Sequence, residues 1–159
     1  MTSYMTVLEG LRSHPFLAGF PERILTKLAE IAREVTFEAD EIIFREGDGR
    51  DVFYLIVSGS VSIEIHSLGR TLRVQTLREG EELGWSSALP ASRKYFQARA
   101  LRRVRAIAFE GSALRNLFEK DYELGYRFCH ALLGVVAERI QATQLQLADL
   151  CETAQPAKL

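Results

Sequence analysis

Apolar residues recur at helical spacing near the amino terminus of the chain. In the stretch PERILTKLAEIAREV, one face of a helix collects Ile24, Leu25, Leu28, Ile31 and Ala32. Pro21 and Glu22 suit the first turn of that helix. A shorter helix before it should end at His14, because a residue that precedes a proline disfavours helical geometry. Residues 1–34 are therefore predicted to form N-terminal helices.

Between residues 35 and 109 the pattern changes to short alternating runs. Val61, Ile63 and Ile65 alternate with polar residues, and similar runs are separated by Gly, Asp and Ser. About eight such runs at even spacing are typical of a jelly-roll. The predicted fold is mainly β with flanking helices: an eight-stranded jelly-roll (double-stranded β-helix) barrel within a single domain.

The pattern becomes helical again over residues 111–150. One series of positions advances strictly by four and three residues, and this seam consists of Tyr126, Cys129, Leu133, Val136, Ile140, Thr143, Leu147 and Leu150. A second apolar stripe, Leu124, Phe128, Leu132 and Val135, is confined to the first half of the helix. The first half should pack on its own barrel, and the seam predicts a parallel homodimer through a long C-terminal dimerisation helix. The alternative is a helix that lies entirely on its own domain.

Composition narrows the partners. The chain has 159 residues, 47% of them hydrophobic, which is enough for one domain with a core. A formal net charge of -1 gives no basic excess that would favour nucleic acid or a membrane surface. No apolar run reaches the roughly 18 residues of a membrane span, and no signal peptide pattern is present. We expect a cytoplasmic protein without a membrane partner.

The sequence offers little for catalysis or metal binding. Cys129 and Cys151 match neither a disulfide framework nor a paired metal motif. The three histidines, His14, His66 and His130, are scattered, and paired carboxylates and a nucleophile elbow are both missing. The protein is therefore not expected to be an enzyme. A haem or metal with ligands from distant parts of the chain stays open.

The stretch EGDGRDVFYLIVSGSVSIEI resembles the cyclic-nucleotide-binding domain of the Crp/Fnr family, and the resemblance covers almost the whole chain. The matching features are Glu46-Gly47-Asp48, Ser58-Gly59-Ser60-Val61, Gly80-Glu81, Gly84 and Ala98-Arg99-Ala100. The resemblance implies a regulatory or sensor module that binds a small ligand in the barrel.

The resemblance also implies a phosphate-binding cassette, in which a Gly-Glu pair begins a one-turn helix and an Arg follows ten residues after the Gly. Here Gly84 occupies the Gly position, Trp85 the Glu position and Lys94 the Arg position. Trp85 accepts no hydrogen bond, so the contact to a ribose hydroxyl is lost. Lys94 keeps the positive charge but lacks the bidentate fork of arginine. The cassette therefore differs from the family pattern at these two positions.

The candidate ligand-binding residues are Gly84, Trp85, Ser86, Ser87, Arg93, Lys94 and Tyr95. No cofactor is certain; the ligand could be cAMP, cGMP or another small anion. Arg139 and Thr143 on the long helix could face a base. In the alternative interpretation Trp85 plugs the old nucleotide pocket as core, Ser86 and Ser87 cap the short helix, Arg93 and Lys94 are solvated, and the protein is a ligand-free dimerising scaffold.

Members of the family usually continue into a helix-turn-helix, whereas this sequence ends shortly after Leu150. We therefore expect no direct DNA binding. An unknown downstream protein would then read the state of the long helix.

Overall fold

The computed structural model describes residues 4–90 and 94–154. Helices α1 and α2 come first, eight strands follow, and helices α3 and α4 come last. Short 3-10 helices occupy Pro15–Leu17 and Trp85–Ala88, and we call the second the cassette helix. The bounds are α1 Tyr4–Ser13, α2 Glu22–Ile31, β1 Ala32–Phe37, β2 Ile42–Phe44, β3 Val52–Ser58, β4 Ser60–Ser67, β5 Arg70–Arg78, β6 Glu82–Leu83, β7 Gln97–Ala100, β8 Val104–Glu110, α3 Gly111–Lys120 and α4 Tyr122–Thr153.

The strands form two four-stranded antiparallel sheets. One has the order β1-β8-β3-β6 and the other the order β2-β7-β4-β5. Their inner faces enclose an apolar core that includes Ile43, Tyr54, Val61, Ala98 and Ala106. The predicted fold class, a mainly β jelly-roll with flanking helices, is confirmed. The strands begin at Ala32 rather than at Val35, because β1 pairs with β8 along its whole length, from Ala32 opposite Phe109 to Phe37 opposite Val104.

Strand β3 shows why part of the chain reads as a continuous apolar run. Its residues alternate between two cores, since Tyr54 and Ile56 face the barrel interior and Phe53 and Leu55 face the helices. A strand that is covered on both faces has no solvent side, so the run VFYLIV needs no polar alternation. The outer face of the first sheet is thus the surface on which the helices pack.

Helix α4 begins at a well-defined cap. Asp121 Oδ1 accepts a hydrogen bond from the Leu124 amide at 3.1 Å, which is a standard N-cap contact. Asp121 Oδ2 also accepts from Arg23 Nη1 at 2.5 Å and from Lys27 Nζ at 2.6 Å, so the same carboxylate joins α4 to α2. Hydrogen bonds from these cations and the capped amide hold the pKa of Asp121 well below its usual range.

The two halves of α4 differ in burial. In the first half, Leu124, Phe128 and Leu132 pack in the helical core, as the second apolar stripe predicts. From Ile140 to Ala154 every residue is exposed. The seam residues Tyr126, Leu133, Ile140, Leu147 and Leu150 are all large and solvent-exposed in the single chain. Within residues 4–90 and 94–154, no helix combines the length and apolarity needed to cross a membrane.

Candidate functional site: the cassette turn

The candidate site begins at Gly84, where the chain leaves β6. Gly84 has a φ of 81°, and a Cβ placed there would lie 2.6 Å from the carbonyl oxygen of Val52. A left-handed conformation against a neighbouring backbone excludes any side chain, so this position requires glycine. The Ser87 amide then donates to the Gly84 carbonyl oxygen at 2.9 Å and closes the cassette helix. The predicted Gly position and its one-turn helix are therefore both present.

The Lys94 ammonium lies against the cassette helix. Its Nζ donates to Ser87 Oγ at 3.0 Å and to Ser86 Oγ at 3.4 Å, and it lies 5.0 Å from the centre of the Phe44 ring. Only 6% of Lys94 is exposed, and Ser87 is fully buried. No carboxylate lies within ion-pair distance of Lys94 in the described part of the chain. A buried cation beside two hydroxyls is a suitable site for an anion.

The electrostatic surroundings of Lys94 act in two directions. Burial lowers the pKa of its amine, which is the larger effect, while the more distant charges of Asp51 and Asp48 favour the protonated form. Both aspartates are already engaged: Asp51 pairs with Arg115 at 2.9 Å, and Asp48 lies 3.6 Å from Arg50. An anion close to the amine would offset the desolvation that lowers its pKa.

Arg115 on α3 supports the cassette helix from outside, which the sequence did not indicate. Its Nη1 donates to the Ser87 carbonyl oxygen at 2.8 Å and also pairs with Asp51. A guanidinium at this end of a short helix satisfies a carbonyl that would otherwise lack a partner. The position of Ser87 is thus fixed by α3 as well as by the cassette turn.

The expectation that Trp85 fills the old pocket as core is wrong for the chain described here. Trp85 is 39% exposed, and the side chain that enters the site is that of Lys94. The alternative in which Lys94 is solvated is also wrong, because Lys94 is only 6% exposed. Tyr95 is 67% exposed and does not reach the site, and Arg93 lies outside the described residues. Of the predicted set, Gly84, Ser86, Ser87 and Lys94 come together.

A second charged group next to the cassette was missed. Glu82 is 2% exposed, and it lies opposite Leu55 in the pairing of β6 with β3, so its side chain shares the helical face of the sheet. Arg139 of α4 contacts Glu82 Oε1 as an ion pair, and Arg139 Nη2 donates to the Glu82 carbonyl oxygen at 2.9 Å. Burial raises the pKa of Glu82 to about 7, although the charge of Arg139 opposes the shift.

This arrangement gives Arg139 a partner that its spacing on α4 could not reveal. The Thr143 hydroxyl donates to the Arg139 carbonyl oxygen of its own helix at 2.9 Å. A base-facing role for Arg139 and Thr143 stays a prediction. The available signal for Glu82 was its place between Glu81 and Leu83, immediately before the glycine turn, in a strand too short to show alternation.

The family model of the cyclic nucleotide-binding domain matches residues 34–121, which include the barrel, the cassette and α3. The chain belongs to this cyclic nucleotide-binding domain family. The resemblance identified from the glycine turns is confirmed.

Known relatives agree with this assignment. The chain is 27% identical over 142 residues to the CRP-like cAMP-activated global transcriptional regulator of Mycobacterium tuberculosis; the match covers 89% of this chain and spans 62% of the relative's length. A solved structure described as a cyclic nucleotide-binding protein from Geobacter metallireducens is 27% identical with a TM-score of 0.75, covering 88% of this chain and 99% of that one. A cyclic nucleotide-binding domain from Methylobacillus flagellatus shares the fold, with 17% identity and a TM-score of 0.78. The match covers 98% of this chain and 86% of that one.

The described residues contain no group of three or more His, Cys, Asp or Glu side chains that could hold a metal ion. The chemistry available at the cassette is therefore that of one ammonium, two hydroxyls and the backbone of a one-turn helix.

Proposed function

We propose that the protein is a dimeric regulatory module that binds a small phosphate-bearing ligand at the cassette and transmits its state through α4. The observation that carries the proposal is the buried Lys94 ammonium, which has two serine hydroxyls and no carboxylate as partners in residues 4–90 and 94–154. Burying an uncompensated cation is costly, and a bound anion removes that cost.

The ligand chemistry follows from the donors. Lys94, Ser86 and Ser87 can direct donors at a phosphate, as a point charge and two hydroxyls rather than as a bidentate fork. Trp85 supplies no acceptor for a ribose hydroxyl, so the site favours the phosphate over the sugar. We infer weak binding of cAMP and cGMP and a larger share of the affinity from the anionic group. The M. tuberculosis relative is described as cAMP-activated, which supports a cyclic nucleotide as the ligand class.

Calorimetry with cAMP, cGMP and inorganic phosphate tests the ligand. Replacing Lys94 with Met removes the ammonium and should weaken binding roughly 10- to 150-fold, the value of a charge-assisted hydrogen bond. Lys120→Met is the matched control, because Lys120 lies exposed at the end of α3. Equal binding by wild type and Lys94→Met would contradict the site.

The two positions that differ from the family pattern, Trp85 and Lys94, offer a gain-of-function test. Trp85→Glu together with Lys94→Arg should restore a hydroxyl acceptor and a bidentate phosphate contact, each worth about 1.5–3 kcal/mol. Together these contacts correspond to roughly two to four decades of affinity for cAMP. Trp85 is 39% exposed, so the exchange does not replace a fully buried side chain. A folded double mutant without any gain would show that the cassette geometry differs from that of the family.

The dimer is proposed to form through the α4 seam as a parallel pair of helices. Leu133, Ile140 and Leu147 are exposed along one line of a helix that is exposed at every described residue from Ile140 onward. Apolar side chains at this spacing are stabilised by a second copy of the helix. Ile140→Asp should dissociate the dimer, measured by sedimentation at micromolar concentration, and Glu138→Gln is the control on the same turn. A wild-type monomer in that experiment would contradict the dimer.

These experiments also separate the proposal from the alternative of a ligand-free scaffold. A dimer that dissociates with Ile140→Asp but binds none of the three ligands would favour the scaffold.

A further inference from the structure

In the described residues, Arg139 is the position at which the second half of α4 is held against the barrel. Arg139 is the last residue of α4 that is not exposed, and all residues from Ile140 to Ala154 are exposed. Arg139 reaches Glu82, which is fully enclosed between β3 and the helix. The exposed seam therefore leaves the barrel at the Glu82–Arg139 pair.

The strand that carries Glu82 is the one that leads into the cassette. Strand β6 has only two residues, lies at the edge of its sheet and pairs only with β3. Gly84 follows immediately, in a left-handed conformation in which an added Cβ would lie 2.6 Å from the Val52 carbonyl oxygen. A short edge strand held by few hydrogen bonds is displaced easily when a group that contacts its side chains moves.

Arg139 contacts Glu82 at two groups. Its guanidinium pairs with the carboxylate and also donates to the carbonyl oxygen of the same residue at 2.9 Å. The second contact holds the backbone of β6 itself, so a displacement of α4 acts on the chain two residues before the cassette turn. Removing a partner of a buried ion pair leaves an uncompensated charge, which makes the contact a strong one to break.

We propose that the Glu82–Arg139 pair couples the cassette turn to the carboxyl-terminal half of α4, so that each responds to a change in the other. The inference rests on the proposed function in treating the cassette as a ligand site and the second half of α4 as the dimer seam. The coupling itself needs no ligand. By linkage, a ligand that alters the pair from the cassette side changes α4, and dimerisation alters the cassette by the same free energy.

Protonation of Glu82 provides a direct way to perturb the pair. The charged groups that act on Glu82 are Arg139, Glu138 and Glu81: Arg139 lowers its pKa, whereas Glu138 and Glu81 raise it. The strand opposite presents Leu55, which carries no charge. Neutralising the carboxylate near pH 7 removes the ion pair but leaves the Arg139 hydrogen bond to the Glu82 carbonyl oxygen.

Trp85 is the reporter for this experiment, because it is the only tryptophan in the chain and stands in the cassette helix. Its emission should titrate with a midpoint near pH 7 in the wild type. Glu82→Gln should abolish this titration. Arg139→Met should raise its midpoint by about one to three pH units, the usual effect of losing an opposite charge at contact distance. Arg139→Lys should keep the midpoint closer to that of the wild type, which a merely structural role for Arg139 does not predict.

Hydrogen exchange gives the reverse reading, from the cassette to the helix. Glu82→Gln should speed amide exchange in residues 136–153 by about tenfold, because the second half of α4 then keeps only the Arg139 hydrogen bond to the backbone of β6. Arg127→Met changes a charge in the first half of α4, away from the pair, and is the control. All these variants are measured as full-length protein.

Three results would overturn the coupling: a Trp85 emission that is flat between pH 5.5 and 9.5, a titration that survives in Glu82→Gln, or an equal midpoint shift in Arg127→Met. Absence of ligand binding in calorimetry with the Trp85 titration intact would remove the proposed ligand and leave the coupling standing. Ligand binding with a flat titration would do the opposite.

Discussion

Two buried charges next to the cassette turn are satisfied in opposite ways. The Lys94 ammonium contacts two serine hydroxyls and the Phe44 ring and has no carboxylate within ion-pair distance among the described residues, whereas Glu82 is paired with a guanidinium that also binds its backbone. One faces the barrel side near Phe44, and the other faces the helices opposite Leu55. We propose a different task for each: Lys94, without a carboxylate partner, receives a ligand, and the Glu82–Arg139 ion pair joins two parts of the fold.

The largest expected effect on stability is at the Glu82–Arg139 ion pair. Arg139→Met should lower the free energy of unfolding by about 1–3 kcal/mol at pH 8, where Glu82 is ionised and loses its partner. At pH 5.5 the loss should be small, because the raised pKa of about 7 leaves the carboxyl protonated in the wild type. Urea unfolding at both pH values measures this difference. A loss of the same size at both would show that Arg139 contributes through packing alone.

A buried histidine sharpens the comparison, because its pH dependence has the opposite sign. Phe16 N donates to His14 Nδ1 at 3.2 Å, so Nε2 carries the proton and donates to the Ile56 carbonyl oxygen at 3.0 Å. Burial lowers the pKa of His14. The unfolded chain therefore binds more protons below pH 6.5, and the His14 contribution is present above that pH and lost as the pH falls. Glu82 behaves in reverse: its raised pKa makes stability fall as the pH rises from about 4.5 towards 7.

The corresponding prediction is that His14→Gln flattens the acid side of the stability profile below pH 6.5. Glutamine keeps a donor for the Ile56 carbonyl but does not titrate. The exposed His66 on β4, changed to Gln, is the matched control. Acid sensitivity that persists in His14→Gln would assign it to another group.

The smallest effect on stability is expected at Lys94. Lys94→Met should change the free energy of unfolding by less than about 1 kcal/mol at pH 7, because methionine replaces a desolvated cation that lacks a carboxylate partner. The same exchange of a cation for methionine at Arg139 should be clearly destabilising. Urea unfolding of the two variants side by side tests the contrast. A large loss at Lys94 would mean that its two serine contacts stabilise the fold rather than keep a charge available.

Much of the architecture was predictable because the signals are local. Helical spacing in α2 and α4 and alternation in β4 report which face of each element is apolar, and glycine turns report where the chain reverses. Gly84 was placed by the resemblance to the family's cassette, and its left-handed conformation at the start of the one-turn helix agrees with that position. The split of α4 into a packed half and an exposed half was visible in its two apolar stripes.

The side chains of the site were harder to place. The alternative interpretation placed Trp85 in the old pocket as core, but Trp85 is 39% exposed on the one-turn helix that follows Gly84. Lys94 was assigned to the site by its spacing from Gly84, yet its burial depends on Phe44 and Ser87, which come from other parts of the chain.

The sequence alone determined the order of the elements and the apolar seam of α4, because each depends on residues within a few positions of one another. Only the tertiary structure decided which buried charge is paired. Glu82 and Arg139 are 57 residues apart in the chain, and a contact at that separation exists only because α4 packs back over the outer face of the β6 strand. Lys94 has no carboxylate partner within reach in the described chain for the same reason: packing, rather than local pattern, decides which groups come within reach of a buried side chain.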